Sequence, residues 1–475
     1  PVACLTNVSS DYDTTLGSPG KRILILDKET KESGEVSVWA DAGCNDLFGN
    51  RKDGGSIIEA DIAVCDSELR EIFYDLVIIN DALKCLDKNS ARYKRLLGRT
   101  YDAVCYSHEL AFKFASRQKD SFDDFEMEIA PGMFTGQKTI PVERAGVYVP
   151  AGRFPLVSTV VMTVTPAAAA GVDEIVMCTP PRVHPDDKEA AQKAGLGVPG
   201  KPFVGGKPYA DEGIMAAAWI CGCKKVYACG GSQAIAAMAY GTESVPEVDV
   251  IVGPGNKFVA ACKKAVYGKV GIDMVAGPTE VFIIADSSAN PAWVAADLLA
   301  QAEHDVVAQP VMVTTDRVFA QKVRDEIERQ LASLATAETA RASIDNLGRI
   351  IIVDSLEQAA DFANRKAPEH LELAMEDGAD RDKVAALVRN YGSLFVGHYS
   401  AEVFGDYAAG LNHTLPTSGA AHYSGGLSVR VFLKTVTTLR AVEGSEGMKK
   451  SAVAAGALGD AEGLAAHAAA ARIRL

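Results

Sequence analysis

Three segments in the middle of the chain share one pattern: a short apolar stretch, a turn rich in Gly or Pro and, farther on, a helix candidate. The apolar stretches are Val172–Cys178, Lys224–Cys229 and Val248–Val252, and the turns after them are TPP, GGSQ and GPGN. Strand, turn and helix in alternation are typical of a parallel sheet with helices on both faces. Because such sheets bind ligands beyond the carboxyl ends of their strands, we expect GGSQ, GPGN and the later AGPTE to form ligand loops.

The same alternation resumes after Glu280 through VFIIAD, PVMVTT and RIIIVD. The chain is therefore predicted to be an α/β protein with two Rossmann-like lobes, each built on a parallel sheet. The predicted domains are an N-terminal arm (1–60), a discontinuous lobe (61–147 and 281–427), a second lobe (148–280) and a C-terminal helical tail (428–475). The stretch 184–208 is predicted to be a surface loop because it is dense in Gly and Pro.

Charge and cysteine usage limit the class of protein. The formal net charge is −14 at pH 7, so neither nucleic acid nor an anionic membrane is expected as a partner. The first residues lack the regions of a signal peptide, and no apolar run reaches the length of a membrane span. We therefore expect a reduced, cytoplasmic enzyme with cysteines in its core. Cys221, Cys223 and Cys229 are close in sequence but lack the spacing of a structural zinc site.

The segment Trp293–His304 (WVAADLLAQAEH) is predicted to be a helix with one apolar face. Gln301 and His304 are three residues apart, so they lie on one side of its last turn. An amide oxygen beside an imidazole can hold a metal ion or grip a polar substrate. The alternative is an ordinary hydrogen-bonded pair.

Later segments carry further polar side chains. They are Glu369 and His370 before an apolar run, Asp406 and His413 in a loop rich in Gly, Asn and Pro, and Glu462 and His467 in an Ala-rich terminal helix. A mixed nitrogen and oxygen set of Gln301, His304, Asp406 and His467 suits Zn²⁺ or a similar ion. A carboxylate beside an imidazole suits removal of an alcohol proton. The alternatives are a helix cap at Asp406, a loop hydrogen bond at His413 and a solvated tail residue at His467.

These residues also carry a family resemblance that extends from about Glu143 to Arg472. The motifs AGVYVPAGR, GGSQAIAA, GPGNKFV, IDMVAGPTEV, DLLAQAEH, APEHLEL, GDYAAGLNHTLPT and EGLAAH resemble those of the histidinol dehydrogenases, in the same order. The resemblance implies oxidation of an alcohol to a carboxylate by two hydride transfers to NAD through an aldehyde. It further implies that residues 148–280 bind NAD, that the other lobe is catalytic, and that the tail is exchanged in an intertwined homodimer.

The resemblance also implies roles for individual residues. Zinc would be held by Gln301, His304 and Asp406 of one subunit and by the His467 position of the other. Glu369 and His370 would be the catalytic pair, with His370 the proton acceptor and Glu369 activating water for the second oxidation. The implied NAD contacts are Tyr148, Gln233 and Asn256. The implied substrate contacts are Thr279, Gln301, His304, His370, Asp406, His413 and Glu462.

Some segments depart from the histidinol pattern and leave the substrate open. Thr279 stands where the family usually has Ser, and NYGSLFVG (390–397), YGKVGIDMVAGPTE, AAHYSGGLSV and FLKTVT are more similar to sulfopropanediol dehydrogenases. APEHLEL has the histidinol form. Arg430 and His422 are candidate sulfonate contacts, unless both face solvent.

Three hypotheses follow from these patterns. The leading one is a zinc-dependent, NAD-linked dehydrogenase of L-histidinol, and its rival is a 2,3-dihydroxypropane-1-sulfonate 3-dehydrogenase that gives sulfolactate. A non-catalytic binding paralogue is the third hypothesis. It predicts a degraded site, whereas all the candidate catalytic and metal-binding residues are present.

Overall fold

The computed structural model describes residues 100–151, 155–180 and 211–475, together with the backbone of short strands at 21–26, 35–40, 182–183 and 208–209. Most of the predicted arm, the helices predicted between 61 and 99, and almost all of the 184–208 loop lie outside the described residues. Within the described part, no helix combines the length and apolar character that crossing a membrane requires.

The elements are numbered in chain order. The strands are Lys21–Leu26 (β1), Glu35–Ala40 (β2), Phe125–Ala130 (β3), Met133–Pro141 (β4), Arg144–Tyr148 (β5), Glu174–Cys178 (β6), Arg182–Val183 (β7), Pro208–Tyr209 (β8), Lys225–Tyr227 (β9), Val250–Val252 (β10), Gly271–Ile272 (β11), Glu280–Ala285 (β12), Gln309–Thr314 (β13), Arg349–Ile352 (β14), His370–Ala374 (β15), Ser393–Val396 (β16) and Leu433–Ala441 (β17). The helices are Thr100–Lys119 (α1), Val157–Ala170 (α2), Glu212–Cys221 (α3), Gly231–Tyr240 (α4), Lys257–Val266 (α5), Pro291–Ala302 (α6), Arg317–Leu331 (α7), Ala337–Leu347 (α8), Leu356–Lys366 (α9), Ala379–Leu387 (α10), Glu402–Tyr407 (α11), Glu446–Ala461 (α12) and Ala465–Arg472 (α13). Short 3₁₀ turns lie at Ala420–His422 and Val429–Phe432.

The first lobe is built on a parallel sheet in the order β11-β10-β5-β6-β9. Its strands are short and largely buried, as continuous apolar runs such as VIV predict. α2 is apolar on all sides because it lies in the core, and it ends at Gly171 with the left-handed φ of +90° that favours glycine. The predicted boundary at 147/148 falls inside β5, whose five residues all pair with β6. The sheet of the first lobe therefore begins at Arg144, and Val104 and Ala111 of α1 belong to the hydrophobic core around it.

The second lobe has a parallel sheet in the order β14-β13-β12-β15-β16. Its central strand β12 is fully buried. The helices α7 and α9 begin at Asp316 and Ser355, whose side chains accept hydrogen bonds from backbone N–H groups of the first turn. Together with the first sheet, this arrangement confirms the predicted α/β fold with two Rossmann-like lobes.

An antiparallel sheet in the order β17-β4-β3 joins the segment before the first lobe to the segment after the second. β17 pairs with β4 from Leu433↔Pro141 to Ala441↔Met133. The predicted tail is therefore not wholly helical, because a nine-residue strand precedes α12 and α13. α12 and α13 pack against each other where Gly459 lies close to the backbone of Ala468.

Candidate active site

The polar residues of the second lobe meet at the amino ends of its strands. Thr279 directly precedes β12, and Glu369 directly precedes β15, which lies beside β12 with Val281 opposite His370. The AGPTE loop (276–280) follows the carboxyl end of β11 in the first sheet and leads into the amino edge of this second sheet. The helix α6 runs back against the strands and ends near the same edge, so it carries Gln301 to this place.

The carboxylate of Glu369 is buried and held by two donors. Its Oε2 accepts hydrogen bonds from the Thr279 hydroxyl at 2.6 Å and from the Glu280 backbone N–H at 2.9 Å. Burial raises the pKa of Glu369 to about 7, because the charged form loses its hydration. A carboxylate with a pKa near neutrality can take up and release a proton at physiological pH.

His370 is buried beside this carboxylate, and its ring is held by a hydrogen bond to the backbone of Glu280. Its Nδ1 lies 3.0 Å from the Glu280 carbonyl oxygen and donates to it, which leaves Nε2 as the free nitrogen. Nε2 lies 3.4 Å from Asp406 Oδ1, and Nδ1 lies 3.8 Å from Glu369 Oε2. Burial opposes the imidazolium charge, but the carboxylates of Glu369, Asp406 and Glu402 outweigh it and raise the pKa of His370 to about 10.

Two acidic residues on α11 complete the buried centre. Glu402 and Asp406 are four residues apart, so both face the same side of this short helix. Burial raises the pKa of Glu402 to about 8. Burial also acts to raise the pKa of Asp406, but contact with the His370 ring prevails and lowers it. The ligand atoms of His370, Glu402 and Asp406 all lie within 4.8 Å of one another.

Several buried polar atoms in this region have no hydrogen-bond partner within the described residues. They are Gln301 Oε1, Glu402 Oε2, and the pair His370 Nε2 and Asp406 Oδ1, which face each other at 3.4 Å without forming a hydrogen bond. Leaving a buried acceptor unpaired costs about 1–3 kcal/mol. Four such atoms in one region fit a site that a cation or a polar ligand completes. Two of the four candidate zinc ligands, Gln301 and Asp406, therefore offer unpartnered oxygen atoms of the kind that bind such an ion.

The Gln301 amide has a defined orientation. Its Nε2 donates to the Thr279 hydroxyl oxygen, whose own proton is donated to Glu369. The amide oxygen is consequently the end of the side chain that remains for a ligand. Gln301 is completely buried.

The predicted site residues His304 and His413 lie on either side of Asp406. His304 is exposed and follows the end of α6 by two residues, and its charge acts on the pKa values of Asp406 and His413. His413 is held by its Nδ1, which lies 3.0 Å from the Asp406 carbonyl oxygen. Its Nε2 lies 3.4 Å from the Thr159 hydroxyl on α2, so this loop residue connects the two lobes.

Glu462 and His467 lie exposed on the tail helices. Within the described chain, neither side chain forms a hydrogen bond or an ion pair. A single subunit therefore brings Gln301, His304 and Asp406 to one region and leaves His467 outside it.

The three predicted NAD contacts lie together at the carboxyl edge of the first sheet. Tyr148 ends β5, Gln233 lies in the first turn of α4, and Asn256 caps α5. The hydroxyl of Tyr148 accepts a hydrogen bond from the Gly231 N–H at 3.0 Å, and burial raises the pKa of Tyr148 to about 12. This edge is where parallel sheets bind ligands.

The sulfonate candidates do not enter the buried centre. Arg430 is exposed and lies over the ring of Phe122 at 5.7 Å from its centroid. His422 is exposed and accepts a hydrogen bond from Asn390 at 3.0 Å. The solvent-facing alternative therefore describes both residues.

Sequence reasoning missed Glu402, Glu372 and Asp297. Burial raises the pKa of each, and a hydrogen bond joins the carboxyl groups of Glu372 and Asp297. Glu402 could have been found from its spacing of four to Asp406 in EVFGDY. The other two appear as ordinary polar positions of an apolar helix and strand, so only the packing of α6 against β15 identifies them.

Comparison with known proteins agrees with this geometry. The family model described as "Histidinol dehydrogenase" matches residues 68–199 and 201–475. A histidinol dehydrogenase of Thermus thermophilus is 45% identical over 339 residues, which are 71% of this chain and 74% of that protein. One from Synechococcus sp. is 43% identical over 385 residues, 81% of this chain and 82% of its own.

A solved structure supports the same relationship at the level of the fold. The histidinol dehydrogenase of Elizabethkingia anophelis superposes with a TM-score of 0.72 at 32% identity and covers 90% of this chain and 95% of its own. The predicted family and the predicted dehydrogenase class of enzyme are confirmed. This chain belongs to the histidinol dehydrogenase family.

Proposed function

We propose that this protein oxidises L-histidinol to L-histidine through an aldehyde, with two NAD⁺ as hydride acceptors and a zinc ion at the site. The observation that carries the proposal is the buried Glu369–His370 pair, surrounded by the unpartnered atoms of Gln301, Glu402 and Asp406. The similar proteins named histidinol dehydrogenase favour this alcohol over the sulfonated diol.

Gln301, His304 and Asp406 would hold the zinc together with His467 from a second subunit. The fit rests on Gln301 Oε1 and Asp406 Oδ1, which are buried and lack partners within the described residues. When bound, zinc supplies a Lewis acid that orients the alcohol oxygen and lowers the pKa of its hydroxyl group.

A dimer that exchanges the tail helices would bring His467 and Glu462 to the site. Its support is the exposed apolar surface of the tail, to which Val453, Leu458, Leu464 and Ile473 contribute. Large apolar side chains that one subunit leaves exposed are expected where another chain packs.

In its neutral form, His370 would take the proton of the substrate hydroxyl at Nε2, while its Nδ1 stays bonded to the Glu280 carbonyl oxygen. The neighbouring carboxylates that raise the pKa of His370 would then stabilise the imidazolium that forms. NAD⁺, held by Tyr148, Gln233 and Asn256, would supply the hydride acceptor for this oxidation of the alcohol to the aldehyde. In the second oxidation Glu369 would remove a proton from water as it adds to the aldehyde. A second NAD⁺ would serve as the acceptor for the oxidation of the hydrated aldehyde to the carboxylate.

The remaining proposed contacts position the substrate and the cofactor. Thr279, His413 and Glu462 would contact the substrate beside the catalytic pair. Tyr148, Gln233 and Asn256 would contact NAD⁺ at the carboxyl edge of the first sheet.

The test is NADH formation by the zinc-loaded protein with L-histidinol and, separately, with 2,3-dihydroxypropane-1-sulfonate. We expect two NADH for each histidinol consumed, and we expect His370→Asn to lower the rate about 10²–10⁴-fold while zinc content is retained. Turnover of the sulfonated diol alone would replace the proposed substrate. Absence of turnover with either alcohol would favour the non-catalytic paralogue.

A further inference from the structure

We propose that the buried ion pair of Lys263 and Asp273 is a positioning device that holds the loop 253–256 in the shape required for NAD⁺ binding. The inference rests on the proposed function, because it takes this loop as part of the cofactor site.

Both partners are removed from solvent and both contact the same glycine. The side chains of Lys263 and Asp273 are 3% and 0% exposed. Lys263 Nζ contacts Asp273 Oδ1 and donates to the Gly253 carbonyl oxygen at 2.9 Å. The other carboxylate oxygen, Oδ2, accepts from the Gly253 N–H at 2.8 Å. The pair therefore satisfies both backbone polar groups of Gly253.

The topology of the sheet explains how these residues meet. β10 and β11 are parallel neighbours and end at the same edge, so Asp273, directly after β11, faces the loop after β10. Lys263 lies on α5, seven residues or about two turns after its cap Asn256, and therefore reaches back to the start of the loop. The loop is fixed both from the neighbouring strand and from the helix that follows it.

The backbone at Gly253 leaves little freedom for another arrangement. Its φ is +112°, and a Cβ atom there would lie 2.2 Å from the Tyr148 carbonyl oxygen. The loop thus passes directly against the end of β5, where the proposed NAD contact Tyr148 lies. Asn256 Oδ1 accepts from the N–H groups of Phe258 and Val259, which leaves its amide NH₂ group for a ligand.

Stability alone gives no reason for this pair. Replacing a buried ion pair by apolar residues of similar volume is often neutral or stabilising, because removing two charges from water is costly. What apolar residues cannot do is bind the N–H and the carbonyl of one glycine at the same time. The geometry therefore favours a role in fixing the loop.

The test measures NAD⁺ affinity by calorimetric titration and stability by thermal unfolding in Lys263→Met, Asp273→Asn and the double variant. Each single variant leaves one uncompensated buried charge, so we expect both to lose stability. We expect Lys263→Met to weaken NAD⁺ binding about tenfold, the effect of losing a hydrogen bond from a charged donor. The double variant should regain stability and keep the weakened NAD⁺ affinity, because the bond to the Gly253 carbonyl is still missing.

Lys269→Met is the matched control, because Lys269 pairs with Glu247 at 2.7 Å on the surface of the same lobe. Its NAD⁺ affinity should equal that of the wild-type protein. NAD⁺ affinity that returns together with stability in the double variant, or that is unchanged in Lys263→Met, would overturn the inference and leave the proposed function standing. A wild-type protein that does not bind NAD⁺ would overturn both.

Discussion

At the residue scale, one hydroxyl group sets the orientation of two site residues. Thr279 donates to the Glu369 carboxylate and accepts from the Gln301 amide. Because a hydroxyl has a single proton, the first bond decides the direction of the second. The Gln301 oxygen is therefore the end that remains for the proposed zinc ion.

Thr279→Val tests this link, because it removes the hydroxyl and keeps the shape. We expect zinc affinity to fall about 10–100-fold, the usual cost of losing a partner of a metal ligand. Competition with a chromogenic chelator measures it. Thr139→Val is the control, since the Thr139 hydroxyl is buried without a hydrogen-bond partner within the described residues. Equal zinc affinity in both variants would contradict the predicted orientation of Gln301.

The raised pKa of Glu369 predicts a pH-dependent rate. Because the base must be ionised, the rate of the second oxidation should rise with pH through about 7. Glu369→Gln should stop this step and release aldehyde after one NADH. The control Glu376→Gln alters an exposed carboxylate and should still form two NADH for each histidinol consumed. A second oxidation at the wild-type rate in Glu369→Gln would exclude Glu369 as the base.

The same pKa predicts a change in stability of known sign. The folded protein favours the neutral carboxyl, so ionising Glu369 costs stability as pH rises from about 4.5 through about 7. Glu369→Gln cannot ionise and should be more stable than the wild-type protein at pH 8.5, by at most about 3 kcal/mol. The two should unfold alike at pH 4. Denaturant unfolding at both pH values measures the difference in the free energy of unfolding. A higher stability of Glu369→Gln at pH 4 only would contradict the inference that burial raises the pKa of Glu369.

At the element scale, the site is built from helix and strand ends that are remote in sequence. α6 ends beside the amino ends of β12 and β15, and the short α11 places Glu402 and Asp406 against His370. The amino edge carries the proposed catalytic pair because Glu369 and His370 lie at the amino end of β15, and the returning helix α6 brings Gln301 to the same edge.

The contact between α12 and α13 is a second property of elements. A Cβ atom at Gly459 would lie 2.8 Å from the Ala468 backbone nitrogen, so Gly459→Val should push the helices apart and displace His467. We expect zinc affinity to fall about tenfold or more, which is the usual effect of removing a group that orients a metal ligand. Ala454→Val on the exposed side of α12 controls for the lower helix propensity of Val. Unchanged zinc affinity in Gly459→Val would separate the tail from the metal site.

At the scale of the whole molecule, the two sheets present opposite edges to the site. The first contributes its carboxyl edge and the second its amino edge, and the loop after α11 connects them. Asn412 in this loop donates to the Met162 carbonyl oxygen of α2 at 2.6 Å, beside the contact between His413 and Thr159. These contacts hold the proposed cofactor region close to the proposed catalytic pair.

Exchange of the tail predicts complementation between inactive subunits. Removing residues 459–475 should abolish turnover while both lobes stay folded, because neither sheet includes the tail helices. Co-expression of this truncation with His370→Asn should restore activity, since one mixed site has an intact His370 and receives an intact tail. Far-ultraviolet circular dichroism checks the fold and NADH formation checks the rate. Activity in the truncation alone, or none in the mixture, would contradict an exchanged tail.

The sequence by itself determined the two lobes, the family and most of the centre. Alternating apolar runs and Gly-rich turns are local signals, so they predicted the parallel sheets. Gln301, Glu369, His370 and Asp406 could be named as candidates because each belongs to a motif of contiguous residues. The boundary inside β5 was missed because strand pairing, not composition, decides to which sheet Arg144 belongs.

Only the tertiary structure decided which edge of each sheet carries the site and which atoms remain unpartnered there. It placed AGPTE at the amino end of β12, brought Glu402 to His370, and paired Asp297 with Glu372 across two elements. It also showed that Lys263 and Asp273 meet at Gly253. Such contacts depend on the packing of segments far apart in the chain, and burial and pKa follow from that packing rather than from neighbouring residues.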